Sequence, residues 1–300
     1  MKMVKRALAA GAAMTVLASG PALAGWSDIN LRVGVTPLSE EIYHLHMLIL
    51  WVCVAIAVAV FGVMIYSIAA FRKSKGAVPA TFDHSTQAEI IWTIIPVIIL
   101  VAMAVPAAKT LVAIDDTRNS DLTVKVTGYQ WKWQYEYVDQ GVSFFSTLAQ
   151  ASNEARQLDS GVDVNKVENY LLDVDNPLVV PVGKKVRVLV TSADVIHSWW
   201  VPDFAIKKDA IPGYINELWF TARQEGTYRG QCVELCGRDH GFMPIVVVVK
   251  SQADYDTWLA AQKSAHQAAA PAAAHTAQLT APVQNTDQNT ETTLRVANAE

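Results

Sequence analysis

The sequence has few cysteines, few charged residues and no excess of positive charge. Only three cysteines occur in 300 residues, which excludes a small domain held together by a dense set of disulfides. Charged residues make up 17% of the chain, below the ~25% of typical soluble proteins, whereas disordered chains are rich in charge. The formal net charge of −4 argues against binding to nucleic acid, because proteins that bind it are usually basic. With 52% hydrophobic residues, the composition indicates a protein that is partly membrane-embedded and partly soluble.

Residues 1–24 have the pattern of a secretory signal peptide. The positive side chains of Lys2, Lys5 and Arg6 precede a short apolar segment, and Ala-Leu-Ala at residues 22–24 matches an A-x-A cleavage site. The alternative is a short first membrane helix, but the apolar segment is too short to span a bilayer. We therefore expect the signal peptide to be removed and the rest of the chain to be exported.

Two long apolar segments follow, and neither contains a charged residue. Residues 47–70 and 90–108 comprise 24 and 19 positions, close to the ~20 residues that a helix needs to cross the hydrocarbon of a bilayer. The sequence predicts a transmembrane hairpin over residues 25–110, with helices at about 45–71 and 89–110. Both helices are expected to contact lipid.

The loop between the two segments predicts the orientation of the hairpin. It carries Arg72, Lys73 and Lys75 against a single acid, Asp83. Short positive loops stay in the cytoplasm, so both ends of the hairpin face outward. The signal peptide predicts the same topology independently. We expect a multi-pass protein of the bacterial cytoplasmic (inner) membrane, with its C-terminal domain in the periplasm.

Residues 111–263 change to short alternating patterns. Leu122, Val124 and Val126 alternate with polar residues, and aromatic and polar side chains alternate over residues 131–137. Several strands at such spacing indicate an all-β sandwich or barrel. This stretch is expected to form the exported domain.

Two segments of the C-terminal half lack a strand pattern. Residues 142–174 are expected to be an insertion over the sandwich, and residues 253–262 a closing helix. The tail at 264–300 is rich in Ala, Gln and Thr and has no aromatic residue. Because such a segment has little to bury, we expect it to be disordered.

Soft metal ligands are concentrated in residues 230–244, where two cysteines, a histidine and a methionine lie close together. Thiolate, thioether and imidazole groups suit copper, whereas magnesium and calcium prefer oxygen ligands. A mononuclear blue-copper site uses two histidines, one cysteine and a weak axial methionine. Cys236, His240 and Met243 supply three of these ligands, and His197 is a candidate for the fourth.

Cys232 is one thiolate too many for a single copper ion. Two coppers that share both thiolates, each capped by one histidine, would use every soft ligand present. Met243 and the main-chain carbonyl of Glu234 would complete the two coordination spheres. The alternatives are a structural Cys232–Cys236 disulfide, a structural zinc site and a core position for His197. Each of them explains only some of these residues.

Longer motifs around these residues are shared with one known family. They are Gly128-Tyr129-Gln130-Trp131-x-Trp133, Asp194-Val195-Ile196-His197-Ser198-Trp199, Asp209-Ala210-Ile211-Pro212-Gly213, Gly230-Gln231-Cys232-x-Glu234-Leu235-Cys236-Gly237 with His240 and Met243-Pro244, and Glu89-x-x-Trp92-Thr93-Ile94-Ile95-Pro96. With them, roughly residues 25–262 resemble subunit II of the haem–copper cytochrome c oxidases. Lys132, Val233 and Asp239 depart from the family pattern, but none of these changes removes a ligand.

The resemblance implies a fold and a cofactor. The fold would be an N-terminal two-helix transmembrane hairpin followed by an all-β cupredoxin-like sandwich. The cofactor would be the binuclear CuA centre of two copper ions, and the Glu234 carboxylate would bind a magnesium ion shared with subunit I. The implied copper ligands are His197, Cys232, the Glu234 main-chain carbonyl, Cys236, His240 and Met243.

The resemblance also implies that electrons enter a respiratory terminal oxidase through this chain. It would accept them from cytochrome c at CuA and pass them to haem in subunit I, where oxygen is reduced to water with proton pumping. The chain alone would then have no turnover, and subunit III would be a further partner. The rival functions are a quinol oxidase subunit, a membrane-tethered blue-copper carrier and an anchored scaffold domain with one disulfide. Quinol oxidase subunits lack the copper ligands, all of which are present in this sequence.

Glu89 has two compatible interpretations. With Thr86 it fits a capping box, and an acid in the first turn suits the helix dipole. In the family, the matching glutamate lies at the mouth of a proton-uptake path in subunit I.

Three residues are candidates for contact with the electron donor. Trp131 matches the family's tryptophan at which electrons enter, although it could instead be a core residue on the face of Trp133. Glu136 and Asp194 are expected to lie near the metal and to steer a basic cytochrome c.

Overall fold

Two long helices, a two-sheet β domain and a final helix follow one another along the chain. The computed structural model describes residues 30–279, with side chains for residues 30–265, so the predicted signal peptide lies outside the described residues. The elements are α1 (Pro37–Ala70), α2 (Thr86–Ile114), β1 (Leu122–Tyr129), β2 (Lys132–Tyr137), β3 (Val142–Ser146), α3 (Gln150–Ala155), β4 (Leu178–Pro181), β5 (Val186–Ser192), β6 (His197–Val201), β7 (Ile206–Ala210), β8 (Asn216–Phe220), β9 (Gly226–Cys232), β10 (Pro244–Lys250) and α4 (Gln252–Leu279).

Helices α1 and α2 form the predicted hairpin, and both are long and apolar enough to cross a membrane. Helix α1 begins eight residues before the predicted start (45 − 37). The reason is a capping box, in which Ser39 N donates to Thr36 Oγ1 at 2.9 Å and Thr36 N donates to Ser39 Oγ at 3.0 Å. The added turns carry polar side chains, so hydropathy alone does not reveal them.

The β domain consists of two five-stranded sheets, in the orders β3-β2-β1-β5-β8 and β4-β10-β9-β6-β7. Alternate side chains of β2 and β5 in the first sheet are buried, as the period of two predicts, whereas β4 of the second sheet is buried throughout. Side chains from both sheets meet in the core, where the Trp133 ring lies 5.8 Å from that of His197 and Tyr137 Oη donates to Val179 O at 2.7 Å. The predicted hairpin followed by an all-β sandwich is confirmed.

The predicted insertion at residues 142–174 is partly a strand. Its first five residues form β3, which pairs antiparallel with β2, Tyr137 lying opposite Val142. Two adjacent phenylalanines, Phe144 and Phe145, interrupt the alternation and hide the strand in the sequence. Helix α3 and irregular chain follow.

The final helix, α4, extends to Leu279 and therefore includes part of the predicted disordered tail. Alanine has the highest helix propensity, which accounts for a helix where there is little to bury. Residues 280–300 lie outside the described residues. Among the described residues, those up to Asp256 form one compact unit, and a second unit begins at Thr257.

Residues 30–36, here called the strap, precede α1 and lie against the β domain. Val35 N donates to Asp203 O and Arg223 N donates to Val35 O, each at 2.9 Å, and the buried Thr36 hydroxyl donates to Phe204 O at 3.1 Å. The strap therefore joins the start of the hairpin to the sandwich.

Candidate metal centre

The metal-ligating side chains meet at one end of the second sheet. His197 is the first residue of β6 and Cys232 the last residue of β9, and these strands are neighbours in the sheet. The chain from Cys232 to the start of β10, here called the copper loop, supplies Cys236, His240 and Met243. Two strand ends and one loop thus converge on a single cluster.

The two cysteine sulfurs lie close together, and each lies beside a histidine ring. Cys232 Sγ lies 3.9 Å from Cys236 Sγ, almost twice the length of a disulfide bond, so the two thiols are free. Each sulfur has a histidine of its own: Cys232 Sγ is 3.9 Å from His197 Nδ1, and Cys236 Sγ is 3.4 Å from His240 Nδ1.

Two weaker donors complete the set. Met243 Sδ lies 3.5 Å from Cys236 Sγ, and the Glu234 main-chain oxygen lies 3.4 Å from Cys232 Sγ. A zinc site would need neither of them, whereas thiolate, imidazole and thioether together suit copper. The donor set therefore fits the copper centre expected from the sequence.

Burial keeps the sulfurs away from water. Cys232, Cys236 and Met243 are each less than 5% exposed. Burial, and to a smaller extent the nearby Cys232, raise the pKa of the Cys236 thiol to about 12. A metal ion must therefore displace a proton to bind the sulfur as a thiolate.

His197 is held rigidly on the buried side of the cluster. Its ring is fully buried, and its Nε2 lies 2.9 Å from Asp194 Oδ1, which leaves Nδ1 facing the thiols. A methyl group added at Gly128 would lie 2.8 Å from the His197 ring. A carboxylate that orients a ligating histidine is a common second layer of metal sites.

Two family models match this chain. The model of the periplasmic domain of cytochrome c oxidase subunit II matches residues 122–250, and that of its transmembrane domain matches residues 24–110. The probable cytochrome c oxidase subunit 2 of Rickettsia felis is 42% identical over 236 residues, which cover 78% of this chain and 72% of the relative. The chain belongs to the cytochrome c oxidase subunit II family.

Another relative and a solved structure are also similar to this chain. Cytochrome c oxidase subunit 2 of Cereibacter sphaeroides is 42% identical over 238 residues, covering 77% of this chain and 78% of the relative. The crystal structure of the periplasmic domain of subunit II from Bradyrhizobium japonicum is 44% identical, with a TM-score of 0.43, and covers 49% of this chain and 97% of that one. This subunit II is thus a two-span membrane protein of a haem–copper oxidase complex, and electrons enter the complex through it.

Trp131 lies beside the copper loop of this subunit II and outside the sandwich core. It precedes β2 and is half-buried, whereas Trp133 and Tyr135 are fully buried. Its indole Nε1–H donates to Cys236 O at 3.2 Å, and the Gln130 side chain donates to the same oxygen at 2.8 Å. These contacts favour the electron-transfer interpretation of Trp131 over the core interpretation.

The two acids expected near the metal have different surroundings. Asp194 reaches the cluster, but it contacts His197 and accepts a hydrogen bond from Gln130 N at 2.7 Å. Glu136 lies five residues beyond Trp131 along β2, ~16 Å at the usual rise of a strand. Its carboxylate is 2.7 Å from Lys125 Nζ on the neighbouring strand. Subunit II therefore brings only Asp194 to the metal cluster.

Glu234 and Glu89 are both exposed. The Glu234 carbonyl faces the sulfurs, which leaves its carboxylate free for a second ligand. The predicted capping box of α2 does not form, because the helix begins at Thr86 with Ser85 at its N-cap and no side-chain capping bond. A capping box uses the third helical position, and Glu89 lies one position beyond it. Glu89 is still in the first turn, where an acid suits the helix dipole.

Three residues near the centre have roles that sequence reasoning missed. Gly128 makes room for His197, the Gln130 side chain supports the carbonyl of Cys236, and Arg156 contacts the copper loop. Gly128 and Gln130 belong to a motif shared with the family, but the motif alone does not indicate what either residue does. Arg156 lies in the insertion and had no signal.

Proposed function

We propose that subunit II holds two copper ions as a CuA centre that takes electrons from cytochrome c. Cys232 and Cys236 would bridge the ions, and His197 and His240 would each bind one of them. Met243 and the carbonyl of Glu234 would complete the coordination. The observation that carries this proposal is the pairing of each thiol with its own histidine Nδ1. When bound, the copper pair would supply a one-electron redox couple shared between two nuclei.

Copper stoichiometry and electron paramagnetic resonance test the metal centre. The full-length chain, purified in detergent and loaded with copper, should bind two coppers and give a seven-line hyperfine pattern. Cys232→Ser should shift the outcome toward one copper and four lines, because only one bridging thiolate remains. One copper with a four-line spectrum in the unmodified chain would favour the blue-copper carrier instead.

Electrons would reach the centre through Trp131. Its indole hydrogen bond to Cys236 O links the half-buried ring directly to a residue that would hold the copper ions. In the assembled oxidase, Trp131→Phe should leave copper content and cytochrome binding intact while electron transfer from cytochrome c collapses. Trp219→Phe is the matched control, since that indole also donates to a main-chain oxygen, Ala113 O at 3.1 Å, but lies on β8. Equal effects of the two variants would exclude a special role for Trp131.

Asp194 and Glu136 would contribute to docking of a basic cytochrome c. Asp194 is 31% exposed beside the metal cluster, whereas the charge of Glu136 is largely balanced by Lys125. Asp194→Asn should therefore slow association at low salt more than Glu136→Gln, and the difference should fade as the Debye length falls to about 10 Å at 0.1 M salt. Association rates that neither change alters would place the docking surface elsewhere.

Glu234 would also bind magnesium at the contact with subunit I. Its side chain is exposed while its carbonyl faces the sulfurs, so the two functions can be separated. In the purified complex, Glu234→Gln should lower the magnesium content and leave two coppers bound. Unchanged magnesium would reject this assignment.

The hairpin would place the protein in the bacterial inner membrane, with the sandwich in the periplasm, after removal of the signal peptide. Both helices expose apolar side chains along most of their length, which suits contact with lipid, subunit I and subunit III. Purification in mild detergent should recover a haem-containing partner. Recovery of a haem-free monomer alone would count against these partners.

Glu89 would lie at the mouth of the proton-uptake path of subunit I. It is exposed and makes no capping bond, so a purely structural role is weakly supported. Glu89→Gln should slow proton uptake by the assembled oxidase without changing the thermal stability of the complex. A stability loss with normal proton uptake would indicate a structural role.

A further inference from the structure

The two histidines of the metal cluster are supported differently. His197 belongs to a strand and is oriented by Asp194. His240 is half-buried in a single 3₁₀ turn, and within the described residues its Nε2 has no hydrogen-bond partner. The turn itself is held by two main-chain hydrogen bonds, from His240 N to Gly237 O at 3.2 Å and from Phe242 N to Asp239 O at 2.9 Å. Within the copper loop, Arg238 Nε also lies 3.4 Å from Asp239 Oδ1, but the Arg238 side chain is 83% exposed, so water weakens this pair.

The Arg156 guanidinium contacts both sides of that turn. Its Nη2 lies 3.6 Å from Oδ2 of Asp239, the residue immediately before His240. Its Cζ lies 4.3 Å from the centre of the ring of Phe242, the residue immediately before Met243. The Arg156 and Asp239 side chains are 23% and 16% exposed, so water screens the pair only partly. One side chain thus contacts the neighbours of two metal ligands.

Arg156 is itself held in place. It follows α3 directly, and its Nε donates to Asn153 Oδ1 at 2.8 Å. Helix α3 is tied to the returning chain, because Ala149 N donates to Asp173 O at 3.0 Å and Leu171 N donates to Ser152 Oγ at 3.1 Å. The guanidinium is therefore presented to the copper loop from a fixed support.

The contact of Arg156 with the copper loop crosses a gap that apolar side chains do not fill. A cavity of about 210 Å³ lies between the insertion and the copper loop, and Trp131, Asn153, Arg156, Asp239 and Phe242 are among the residues that line it. Arg156 spans the gap, and its planar fork can pair with a carboxylate and stack on a ring at once.

We propose that Arg156 is a positioning residue that holds the turn carrying His240 and Met243, and thereby one half of the metal centre. The proposal rests on the copper centre proposed above. It assigns a role to the insertion: helix α3 supports the less rigid of the two histidines. Arg156 would act only through Asp239 and Phe242.

The test compares variants of the full-length chain loaded with copper in detergent. Arg156→Gln should accelerate copper loss to a chelator by about tenfold, the lower end of the effect on metal affinity when a group that bonds a ligand directly is removed. It should also broaden the seven-line spectrum, because His240 would adopt several positions. Arg118→Gln is the matched control, since Arg118 also pairs with an aspartate, Asp116, but on an exposed surface of the chain.

Equal rates of copper loss from Arg156→Gln and Arg118→Gln would overturn the proposal. Arg156→Lys keeps the charge without the fork and should give an intermediate rate; it also serves if Arg156→Gln does not fold. Asp239→Asn should accelerate copper loss, and combining it with Arg156→Gln should add little. The two proposals fail separately: an unmodified chain without two coppers rejects the copper centre, whereas two coppers with no effect at Arg156 reject only this inference.

Discussion

His197 and His240 lie in the same metal cluster but in two regions of different construction. The ring of His197 is fully buried at the start of a strand, against the backbone of Gly128 and the carboxylate of Asp194. The ring of His240 is half-buried in a short turn that Arg156 contacts from outside. Close-packed interiors have little room to relax. A change of shape near His197 should therefore displace its ring from the metal cluster, whereas neighbouring atoms can move to accommodate the same change near His240.

The largest expected effect comes from adding one methyl group to each region. Gly128→Ala places a Cβ 2.8 Å from the His197 ring, whereas Gly241→Ala, beside His240, meets no atom within 4 Å. Overpacking of this kind costs ~1–3 kcal/mol, so Gly128→Ala should lower the free energy of unfolding by about that amount and reduce the copper content. Gly241→Ala should change stability by less than about 0.5 kcal/mol.

Denaturant unfolding and copper analysis of the two alanine variants measure the contrast. Similar losses in both would mean that the two histidines are equally constrained, and the comparison between the regions would be wrong.

A smaller effect is expected when the support of His197 is removed without changing its packing. Asp194→Ala deletes the carboxylate that faces Nε2 and should weaken copper binding by about 10- to 100-fold. The control is Glu225→Ala, which removes an exposed carboxylate from the loop between β8 and β9. Competition with a copper chelator gives both affinities. An Asp194→Ala chain that binds copper as tightly as the control would show that the buried strand alone orients the ring.

The smallest effect, taken over a single pH unit, is a dependence of copper binding on pH. Because burial raises the pKa of Cys236, this thiol is protonated at neutral pH, and copper must displace the proton. Apparent affinity should therefore rise by about tenfold per pH unit for each proton released, between about pH 6 and pH 8. Cys53→Ser, which removes a cysteine far from the cluster in sequence, should leave this slope unchanged. Affinity that is independent of pH would mean that the thiols are already ionised.

Much of this architecture could be predicted from local sequence patterns. The alternation of Val124 and Val126 with polar residues predicts a half-buried strand, and Cys232 and Cys236 predict a soft metal site with their histidine and methionine neighbours. These signals lie within a few residues of one another, at the spacing that strands and metal loops require.

The features that could not be predicted depend on contacts between distant residues. Arg156 meets Asp239 across 83 positions of sequence (239 − 156), and the Lys125–Glu136 pair depends on the register of two strands. The start of α1 was missed because its first turns are polar and its capping box replaces glutamate with Ser39.

The strap has a consequence for the distance that an electron must travel. At the start of α1, main-chain hydrogen bonds join Val35 to the β domain, and Arg223 Nη1 donates to Glu40 Oε2 at 2.6 Å. At the end of α2, the Trp219 indole donates a hydrogen bond to Ala113 O. The sandwich is therefore hydrogen-bonded to both outer ends of the hairpin, and these contacts oppose its rotation about a single hinge. Since tunnelling between redox groups falls exponentially with their separation, contacts at two points would keep the distance between the metal cluster and the hairpin, and with it the rate of electron transfer, nearly constant.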